Sequence, residues 1–260
     1  FYHNKKSEST DYIDKCTSFI RNINGYIIIS DKRKGYIMKI LILGAGGGVG
    51  SKVTELLKES GADFTASVRD EKKLEDLKNN NIDAKLIDVA KDSVDDMVER
   101  FKDYDKVLFT IGAGGKGGAE TTVKVDLDGA VKTMDAAKKA GIGQYYMVST
   151  WDSSREAVEN PDDPIKTYTI CKHYADLYLK NNSGLTYTII HPSSLNDDPA
   201  EGTIEVTNTH STKVAGNQSI SRSDVAKVVT KLLLSDGYKN QEIQIAAGDT
   251  DIDNALEAIK

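Results

Sequence analysis

The sequence predicts an α/β fold, a doubly wound parallel sheet with helices on both faces, because short apolar segments alternate with helical stretches from Met38 onward. Apolar residues spaced i, i+3, i+4 and i+7 predict helices at 94–101 and 225–233, and a last helix is expected at 250–259. The predicted strands are 38–43, 63–68, 84–87, 105–111, 144–149, 185–190 and 241–247. Residues 38–260 are therefore expected to form a single domain.

The first strand ends in a run of glycines, GAGGGVG at 44–50. The phosphate-binding loop of NTPases needs Gly-Lys-Ser/Thr, which this chain lacks, and GxGxxG fails because Val49 stands at its sixth position. Gly44, Gly47 and Gly50 instead form GxxGxxG between a strand and a helix, whose first N–H groups can hold a pyrophosphate. This context favours dinucleotide binding over a purely structural turn.

Composition excludes several classes of function. A net charge of -6 and a pI near 5.3 argue against broad binding to nucleic acid or to anionic membranes, since both need a basic face. The two cysteines, Cys16 and Cys171, form no CxxC pair and no His/Cys cluster, so neither disulfides nor a metal site is expected. No apolar run is long enough to span a bilayer and no secretion signal opens the chain. We expect a cytoplasmic protein with a small-molecule substrate, and its oligomeric state stays open.

Residues 1–37 differ in character from the remainder. Seven Lys/Arg stand against four Asp/Glu, a net charge of +3, which leaves -9 on residues 38–260. Their apolar stretch GYIII has no obvious partner, whereas Met38 opens a clean strand, and KRKGYIM at 32–38 would fit purine-rich codons ahead of a start codon. We expect 1–37 to be a non-native or disordered extension, and a genuine partner-binding arm is the alternative.

Ordered sequence pieces across 38–256 resemble a known family. They are ILGAGGGVGSKV, SVRD (67–70), IDV (87–89), FTIGAGG (109–115), VDLDGAVKTMDAAKKAGIGQYYMVST (125–150), YTICK (168–172), SGLTYTIIHPSSL (183–195) and SISRSDVA (219–226). Together they are similar to the atypical single-domain branch of the short-chain dehydrogenases/reductases, with its NAD(P)H-binding and biliverdin or flavin reductase-like members. The resemblance implies a Rossmann sheet, a small C-terminal substrate lobe and a nicotinamide dinucleotide.

The resemblance also implies a set of cofactor contacts. They are Gly44, Gly46, Gly47, Gly48, Val49, Gly50, Asp88, Val89, Gly112, Ala113, Gly114, Lys172, His191, Pro192 and Ser193. Asp88 has an alternative role as the N-cap of a helix near residue 91. At 191–193, His-Pro-Ser replaces the family's usual Arg-Pro-Gly, which exchanges a permanent cation for a titratable imidazole. We expect His191 to be a structural histidine, and a catalytic base is the alternative.

The residues after the second strand bear on the choice of dinucleotide. An NAD site places a carboxylate there for the adenosine ribose. Here Arg69 is followed by Lys72 and Lys73, and a guanidinium holds a 2′-phosphate in bidentate fashion. NADP(H) is therefore the preferred cofactor, and NAD(H) is the alternative if Asp70 turns toward the ribose.

Tyr168 and Lys172 are the candidate catalytic pair, four residues apart on one helical face as in the family's YxxxK pattern. A phenol has a pKa of about 10, and an adjacent ammonium together with the oxidised nicotinamide is expected to lower it. Ser149 or Thr150, just past the fifth strand, would hydrogen-bond the substrate oxygen or cap the strand end. A chance surface pair is the alternative for Tyr168 and Lys172.

The sequence thus predicts an NADP(H)-dependent oxidoreductase that acts on a small carbonyl, quinone or flavin-like acceptor. A non-catalytic NADP(H)-binding redox sensor is the alternative. An NAD(P)-dependent epimerase/dehydratase comes last, because the short chain after Pro192 leaves little material for a sugar-nucleotide lobe. Asp224 is expected to cap the helix that begins at Val225.

Overall fold

The computed structural model describes residues 38–115, 117–208 and 219–260, together with the backbone of 19–23 and 26–30. The chain divides into two units, Phe1–Ile37 and Met38–Lys260. In the first, β1 (Phe19–Ile23) pairs antiparallel with β2 (Tyr26–Ser30), so the apolar stretch there has a partner strand that sequence analysis did not identify. The remaining expectations for 1–37 fall outside the described residues, and its assignment as an extension stays a prediction.

The second unit alternates strands and helices. Its strands are β3 (Lys39–Leu43), β4 (Asp63–Val68), β5 (Ala84–Leu86), β6 (Lys106–Phe109), β7 (Gln144–Val148), β8 (Tyr187–Pro192), β9 (Leu195–Asn196), β10 (Thr203–Thr207), β11 (Ile220–Ser221), β12 (Gln241–Ala247) and β13 (Thr250–Asp251). Its α-helices are α1 (Gly48–Ser60), α2 (Glu71–Asn79), α3 (Val94–Phe101), α4 (Gly118–Thr122), α5 (Ala130–Ala140), α6 (Arg155–Glu159), α7 (Lys166–Asn181), α8 (Arg222–Leu234) and α9 (Ile252–Glu257). A π-helix over Val123–Gly129 joins α4 to α5. Within the described ranges, no helix has the length and apolar character to cross a membrane.

The strand order creates a crevice at the centre of the sheet. Parallel strands run in the order β5-β4-β3-β6-β7-β8-β12, and β10 and β13 add antiparallel pairings at the β12 edge. Because β3 lies between β4 and β6, the crossovers run in opposite directions from it, and the carboxyl ends of β3 and β6 border a crevice. The doubly wound Rossmann-type sheet is confirmed. Its C-terminal lobe is small, since β9 and β11 are the described strands of this unit that pair outside the main sheet.

The central strands are covered on both faces. Along β3, Ile40 and Ile42 belong to an apolar cluster with residues of α1, α8 and α9, whereas Leu41 and Leu43 join residues of α3, α5 and α7. Successive side chains of a strand point to opposite faces, so a strand between two helical layers needs an uninterrupted apolar run. KILIL meets that need and is buried after Lys39.

The start of α8 differs from its prediction. The helix begins at Arg222 with Ser221 as its N-cap, so Asp224 is not the cap and the helix starts before Val225. Asp224 instead exchanges two hydrogen bonds with Ser221, each 2.9 Å long. Its carboxylate also accepts from the N–H groups of Glu201 and Gly202, both at 2.9 Å. These bonds connect the segment just before β10 to the start of α8.

We expect Asp224→Ala to lower the free energy of unfolding by about 2–4 kcal/mol, because a buried carboxylate that accepts several hydrogen bonds is lost. Urea unfolding of the two proteins would measure the difference. Asp128→Ala is the control: its carboxylate is exposed and lies 3.6 Å from Lys132, so a change of less than about 1 kcal/mol is expected. Equal losses in both variants would contradict this role of Asp224.

Candidate active site

A cleft of about 1010 Å³ lies at the crevice between the carboxyl ends of β3 and β6. The predicted site residues that line it are Gly44, Gly46, Gly47, Gly48, Val49, Arg69, Asp88, Val89, Gly112, Ala113, Gly114, Ser149, Tyr168 and Lys172. The predicted site residues outside its lining are Gly50, Thr150, His191, Pro192 and Ser193. Among the residues that the structure describes, no three His, Cys, Asp or Glu side chains gather as metal ligands.

The glycine loop is bare backbone folded tightly on itself. Gly44 has a φ of +97°, which favours glycine, and a Cβ on Gly50 would lie 2.2 Å from the Gly44 carbonyl oxygen. Gly50 therefore lets α1 approach the end of β3. Because Gly50 packs against Gly44, it is not part of the cleft lining. Gly47, the N-cap of α1, makes no side-chain capping bond, and the first turn carries no acidic residue. The positive end of α1 thus meets the cleft without a protein anion, which suits a phosphate.

Basic side chains lie across this loop. The Lys73 ammonium donates to the Gly46 carbonyl at 2.8 Å. The Arg222 side chain rests against Gly48 so closely that a Cβ there would stand 2.8 Å from its Cδ atom. Arg222 also pairs with Asp197 at 3.0 Å, and its position in the cleft lining escaped the sequence analysis. Its location in SRSD, at a helix start, is a signal that could have found it.

Asp70 lines the cleft and also begins α2, so the ribose contact that was its alternative stays open. As the N-cap of α2, its carboxylate accepts from the Lys73 N–H at 3.0 Å, so the helix start engages it. Arg69 precedes it as an exposed residue of the cleft lining, with Lys72 and Lys73 just after. This end of the cleft is therefore rich in cations.

Asp88 lies in the turn that follows β5. Its carboxylate accepts from the Ala90 N–H at 3.1 Å and lies 3.4 Å from the Lys91 ammonium. The following helix, α3, begins at Val94 and has Ser93 as its N-cap, so Asp88 does not cap it. Asp88 lines the cleft beside Val89, which is itself buried.

Lys172 is buried between an aromatic ring and a carboxylate. It is 2% exposed, and its Nζ atom lies 5.5 Å from the centre of the Tyr168 ring and 3.6 Å from Oδ1 of Asp126. Fully buried Asp126 accepts the Ala113 N–H at 2.9 Å through its other oxygen. Asp126 lies on the π-helix, a form that often occurs at functional sites. Asp126 was not predicted from the sequence, since nothing in its spacing distinguishes it from a surface residue of an ordinary helix.

The electrostatics of the pair differ from the expectation. Burial raises the pKa of Tyr168, the Lys172 ammonium opposes this, and the Asp126 carboxylate raises the pKa further, so that the phenol titrates above its usual range. The adjacent ammonium alone therefore does not lower the pKa of Tyr168, because burial above all, and then the Asp126 and Asp176 carboxylates, outweigh it. Burial lowers the pKa of Lys172, but Tyr168 and the two carboxylates outweigh burial and raise it. Lys172 thus stays charged and Tyr168 protonated at neutral pH.

The two candidate hydroxyls after β7 have different partners. Ser149 lines the cleft, and its Oγ atom lies 2.7 Å from Oδ2 of Asp176. The Thr150 side chain hydrogen-bonds Tyr168 and thereby lowers the pKa of the phenol, against the net rise. The Thr150 carbonyl accepts from the His191 ring at 2.7 Å. Ser149 therefore meets the cleft directly, and Thr150 supports Tyr168.

His191 lies behind the cleft. It is fully buried, with Nδ1 bound to the Thr150 carbonyl and Nε2 lying 3.2 Å from the Glu242 carboxylate on β12. Burial lowers the pKa of His191, but the Glu242 hydrogen bond and the Asp176 charge outweigh it and raise the pKa. The two residues after His191 also pair with β12. Pro192 aligns with Ile245 in the sheet, and the Ser193 N–H donates to the Ile245 carbonyl at 2.9 Å. Pairing of β8 with β12 thus keeps 191–193 out of the cleft lining.

Fold and cleft together define a dinucleotide-binding α/β protein. The NAD(P)H-binding family matches residues 44–236, which include the glycine loop, Tyr168, Lys172 and Arg222. The chain belongs to this NAD(P)H-binding family, of the atypical short-chain dehydrogenase/reductase type.

Three known proteins show the range of the likeness. An uncharacterised sugar epimerase of Bacillus subtilis, YhfK, is 35% identical over 223 residues, which cover 85% of this chain and 100% of the relative. The crystal structure of the oxidoreductase YlbE from Lactococcus lactis is 32% identical with a TM-score of 0.72, covering 85% of this chain and 96% of that one. The anaerobillin reductase ChuY of Escherichia coli O157:H7 shares the fold, at 20% identity and a TM-score of 0.68, over 82% of this chain and 99% of its own.

We expect Asp126→Asn to lower the pKa of Tyr168, because a buried negative charge that disfavours the phenolate is removed while an oxygen remains to accept from Ala113. Tyrosinate absorbance would be titrated with and without Tyr168→Phe, so that the difference isolates one of twelve tyrosines. Asp95→Asn, at an exposed position on α3, is the control and should change nothing. An unchanged or raised pKa in Asp126→Asn would refute the assignment.

Proposed function

We propose that the protein is an NADP(H)-dependent oxidoreductase that reduces a small carbonyl, quinone or flavin-like acceptor. One observation carries the proposal: a single cleft joins a bare, positively ended helix start to a buried Lys172 with Tyr168 above it. The first feature suits a pyrophosphate and the second suits proton transfer. Their place in the lining of one cleft suits a dinucleotide with its reacting end at Tyr168.

The residues at the basic end support NADP(H) over NAD(H). Lys73 and Arg222 lie against the glycine loop, and Arg69 lines the same end of the cleft. One Asp70 oxygen accepts at the N-cap of α2, and Asp70 and Asp76 line the cleft beside these cations. The Arg69 guanidinium carries the preference, because a guanidinium can hold a 2′-phosphate in bidentate fashion.

The chain's own residues supply proton transfer and positioning. When bound, the nicotinamide supplies the hydride. Tyr168 enters the reaction protonated, as its raised pKa requires, and donates from its hydroxyl to the substrate oxygen. Lys172, held by Asp126 and lying 3.4 Å from the Val148 carbonyl, keeps a positive charge that stabilises the phenolate left behind. The glycines at 112 and 114 keep the middle of the cleft open to a flat ring.

An epimerase is the second candidate, and the name of the Bacillus subtilis relative favours it. An epimerase would use the same cleft but would return the cofactor to its starting redox state in each cycle. The small lobe weighs against a sugar nucleotide, because β10 and β12 join the main sheet instead of building a separate substrate layer. Net consumption of NADPH with a carbonyl substrate would distinguish the reductase from the epimerase.

The protein is expected to bind NADPH more tightly than NADH, and Arg69→Ala and Lys73→Ala should each weaken NADPH binding by about 1.5–3 kcal/mol with little effect on NADH. Fluorescence titration of both dinucleotides would measure this. Lys102→Ala serves as a control, since Lys102 pairs with Glu99 on the surface of α3. Equal affinities of the parent protein for the two dinucleotides would refute the NADP(H) preference.

Tyr168→Phe is expected to leave NADPH affinity close to that of the parent protein and to reduce turnover about 10²–10⁴-fold, because it removes the proton donor and keeps the ring. A simple aldehyde, a quinone and a flavin would be tested separately, with NADPH oxidation as the measurement. Tyr174→Phe, on the exposed side of the same helix, should keep full activity. Full activity of Tyr168→Phe on every acceptor would exclude Tyr168 as the acid.

A further inference from the structure

Ser149 lines the cleft with a hydroxyl whose hydrogen already has a partner inside the protein. Its Oγ atom lies 2.7 Å from Oδ2 of Asp176, and the two residues are 4% and 2% exposed. A carboxylate only accepts hydrogen bonds, whereas a hydroxyl has a single hydrogen to donate. The Ser149 hydrogen therefore points away from the cleft, and a lone pair of its oxygen remains for a ligand.

Two basic side chains lie near Asp176. Lys172 lies one turn earlier on α7, and His191 lies on the neighbouring strand β8. Both are buried, and the Asp176 charge is among the causes that raise the pKa of each. Oδ1 of Asp176 has no hydrogen-bond partner among the described residues. Ser149 is thus the described hydroxyl that solvates this buried carboxylate.

The Ser149 and Tyr168 side chains line the same cleft. Thr150, the residue after Ser149, hydrogen-bonds Tyr168 through its side chain. One ligand in this cleft can therefore meet both the Tyr168 hydroxyl and the Ser149 oxygen.

We infer that Asp176 is a positioning residue that makes Ser149 a hydrogen-bond acceptor toward the cleft, so that the substrate is a carbonyl compound with a hydroxyl or N–H group beside the reacting carbonyl. Tyr168 donates to the carbonyl oxygen, and Ser149 accepts from the neighbouring group. The substrate class rests on the proposed function, because it places the reacting carbonyl at Tyr168. The direction of the Ser149 hydrogen does not rest on the proposed function, because it follows from the contact with Asp176.

Neutron diffraction from deuterium-exchanged crystals of the full chain at neutral pH tests that direction without any ligand. We expect deuterium on Ser149 Oγ, directed at Oδ2 of Asp176. Deuterium bound to the Asp176 carboxyl would overturn the inference, because Ser149 would then be able to donate into the cleft.

Hydroxyacetone and butanone test the substrate class, since they differ by a hydroxyl in place of a methyl group beside the carbonyl. Binding to the NADP⁺-loaded protein would be measured by NMR titration. Hydroxyacetone should bind about tenfold more tightly than butanone, the effect of one hydrogen bond. Equal binding, or binding of neither probe, would overturn the substrate class, whereas failure of NADP⁺ itself to bind would refute the proposed function and leave the neutron result standing.

Asp176→Asn should reverse the direction of the Ser149 hydrogen. A buried carbonyl without a partner is tolerated better than a buried N–H, so the amide N–H is expected to face Ser149 and release the serine hydrogen to the cleft. Hydroxyacetone can pair with Ser149 in either direction, because a hydroxyl both donates and accepts, whereas the ether oxygen of methoxyacetone only accepts. Methoxyacetone should therefore bind about tenfold more tightly to the variant than to the parent protein.

Asp135→Asn is the matched control, because Asp135 accepts the Tyr178 hydroxyl at 2.6 Å outside the cleft lining. An unchanged affinity for methoxyacetone, or equal weakening of all three probes, would reduce Asp176 to a structural role. If Asp176→Asn does not fold, Ser149→Ala is expected to lower the hydroxyacetone-to-butanone affinity ratio to about one, and an unchanged ratio would contradict the role of Ser149.

Discussion

The buried ion pair of Asp126 with Lys172 is the interaction on which the site depends. It joins elements from different parts of the chain: the π-helix carries Asp126, α7 carries Lys172, and the loop after β6 donates the Ala113 N–H to the same carboxylate. Two charges with almost no exposure have an unfavourable desolvation energy, which an ion pair 3.6 Å long offsets only in part. Stability alone does not explain such a pair, whereas a requirement for a fixed cation below Tyr168 does.

The pair is one end of a series of buried and partly buried charges that alternate in sign. Asp176 lies near both Lys172 and His191, and Glu242 accepts from His191 and, at 2.8 Å, from Lys180. Burial raises the pKa of Glu242, but the His191 and Lys180 hydrogen bonds and charges lower it to about 2. Opposite charges beside Lys172, His191 and Glu242 thus shift the pKa of each toward its ionised form. Removing one member is therefore expected to affect the others, and single substitutions in this series should not be additive.

The layered fold was predictable because a strand that is buried on both faces needs apolar residues in succession. β3 (KILIL), β6 (KVLF) and β7 (QYYMV) are apolar after their first residue, and the glycine loop follows from steric demands that only a residue without Cβ meets. β9, β11 and β13 have two residues each, which is too short to show a period. β10 (TIEVT) does alternate, but its pattern ends within five residues.

The candidate site was predictable where the family pattern and the physics coincide, as at Tyr168 and Lys172. Asp126 and Asp176 escaped because an acidic residue on an amphipathic helix is usually a solvated one, and nothing local marks these two as buried. Arg222 escaped because its contact with Gly48 spans most of the chain. Asp70 and Asp224 were assigned by residue type, and only the hydrogen-bond geometry shows which helix end each serves.

The departure at His191 follows from the same series of charges. The family's usual arginine at this position is a permanent cation, and the histidine here has a carbonyl at one ring nitrogen and a carboxylate at the other. Both partners accept, so both nitrogens must donate, which is the imidazolium form and agrees with the raised pKa of His191. The substitution therefore preserves the sign of the charge and makes it titratable.

Because the folded pKa of His191 lies above the usual value of about 6.5, the contribution of His191 to the stability of the fold is complete below that value and is lost as the pH rises through the folded pKa. Loss of this cation would leave Glu242 and Asp176 with one fewer counter-charge, directly behind the strand ends that carry Ser149 and Thr150.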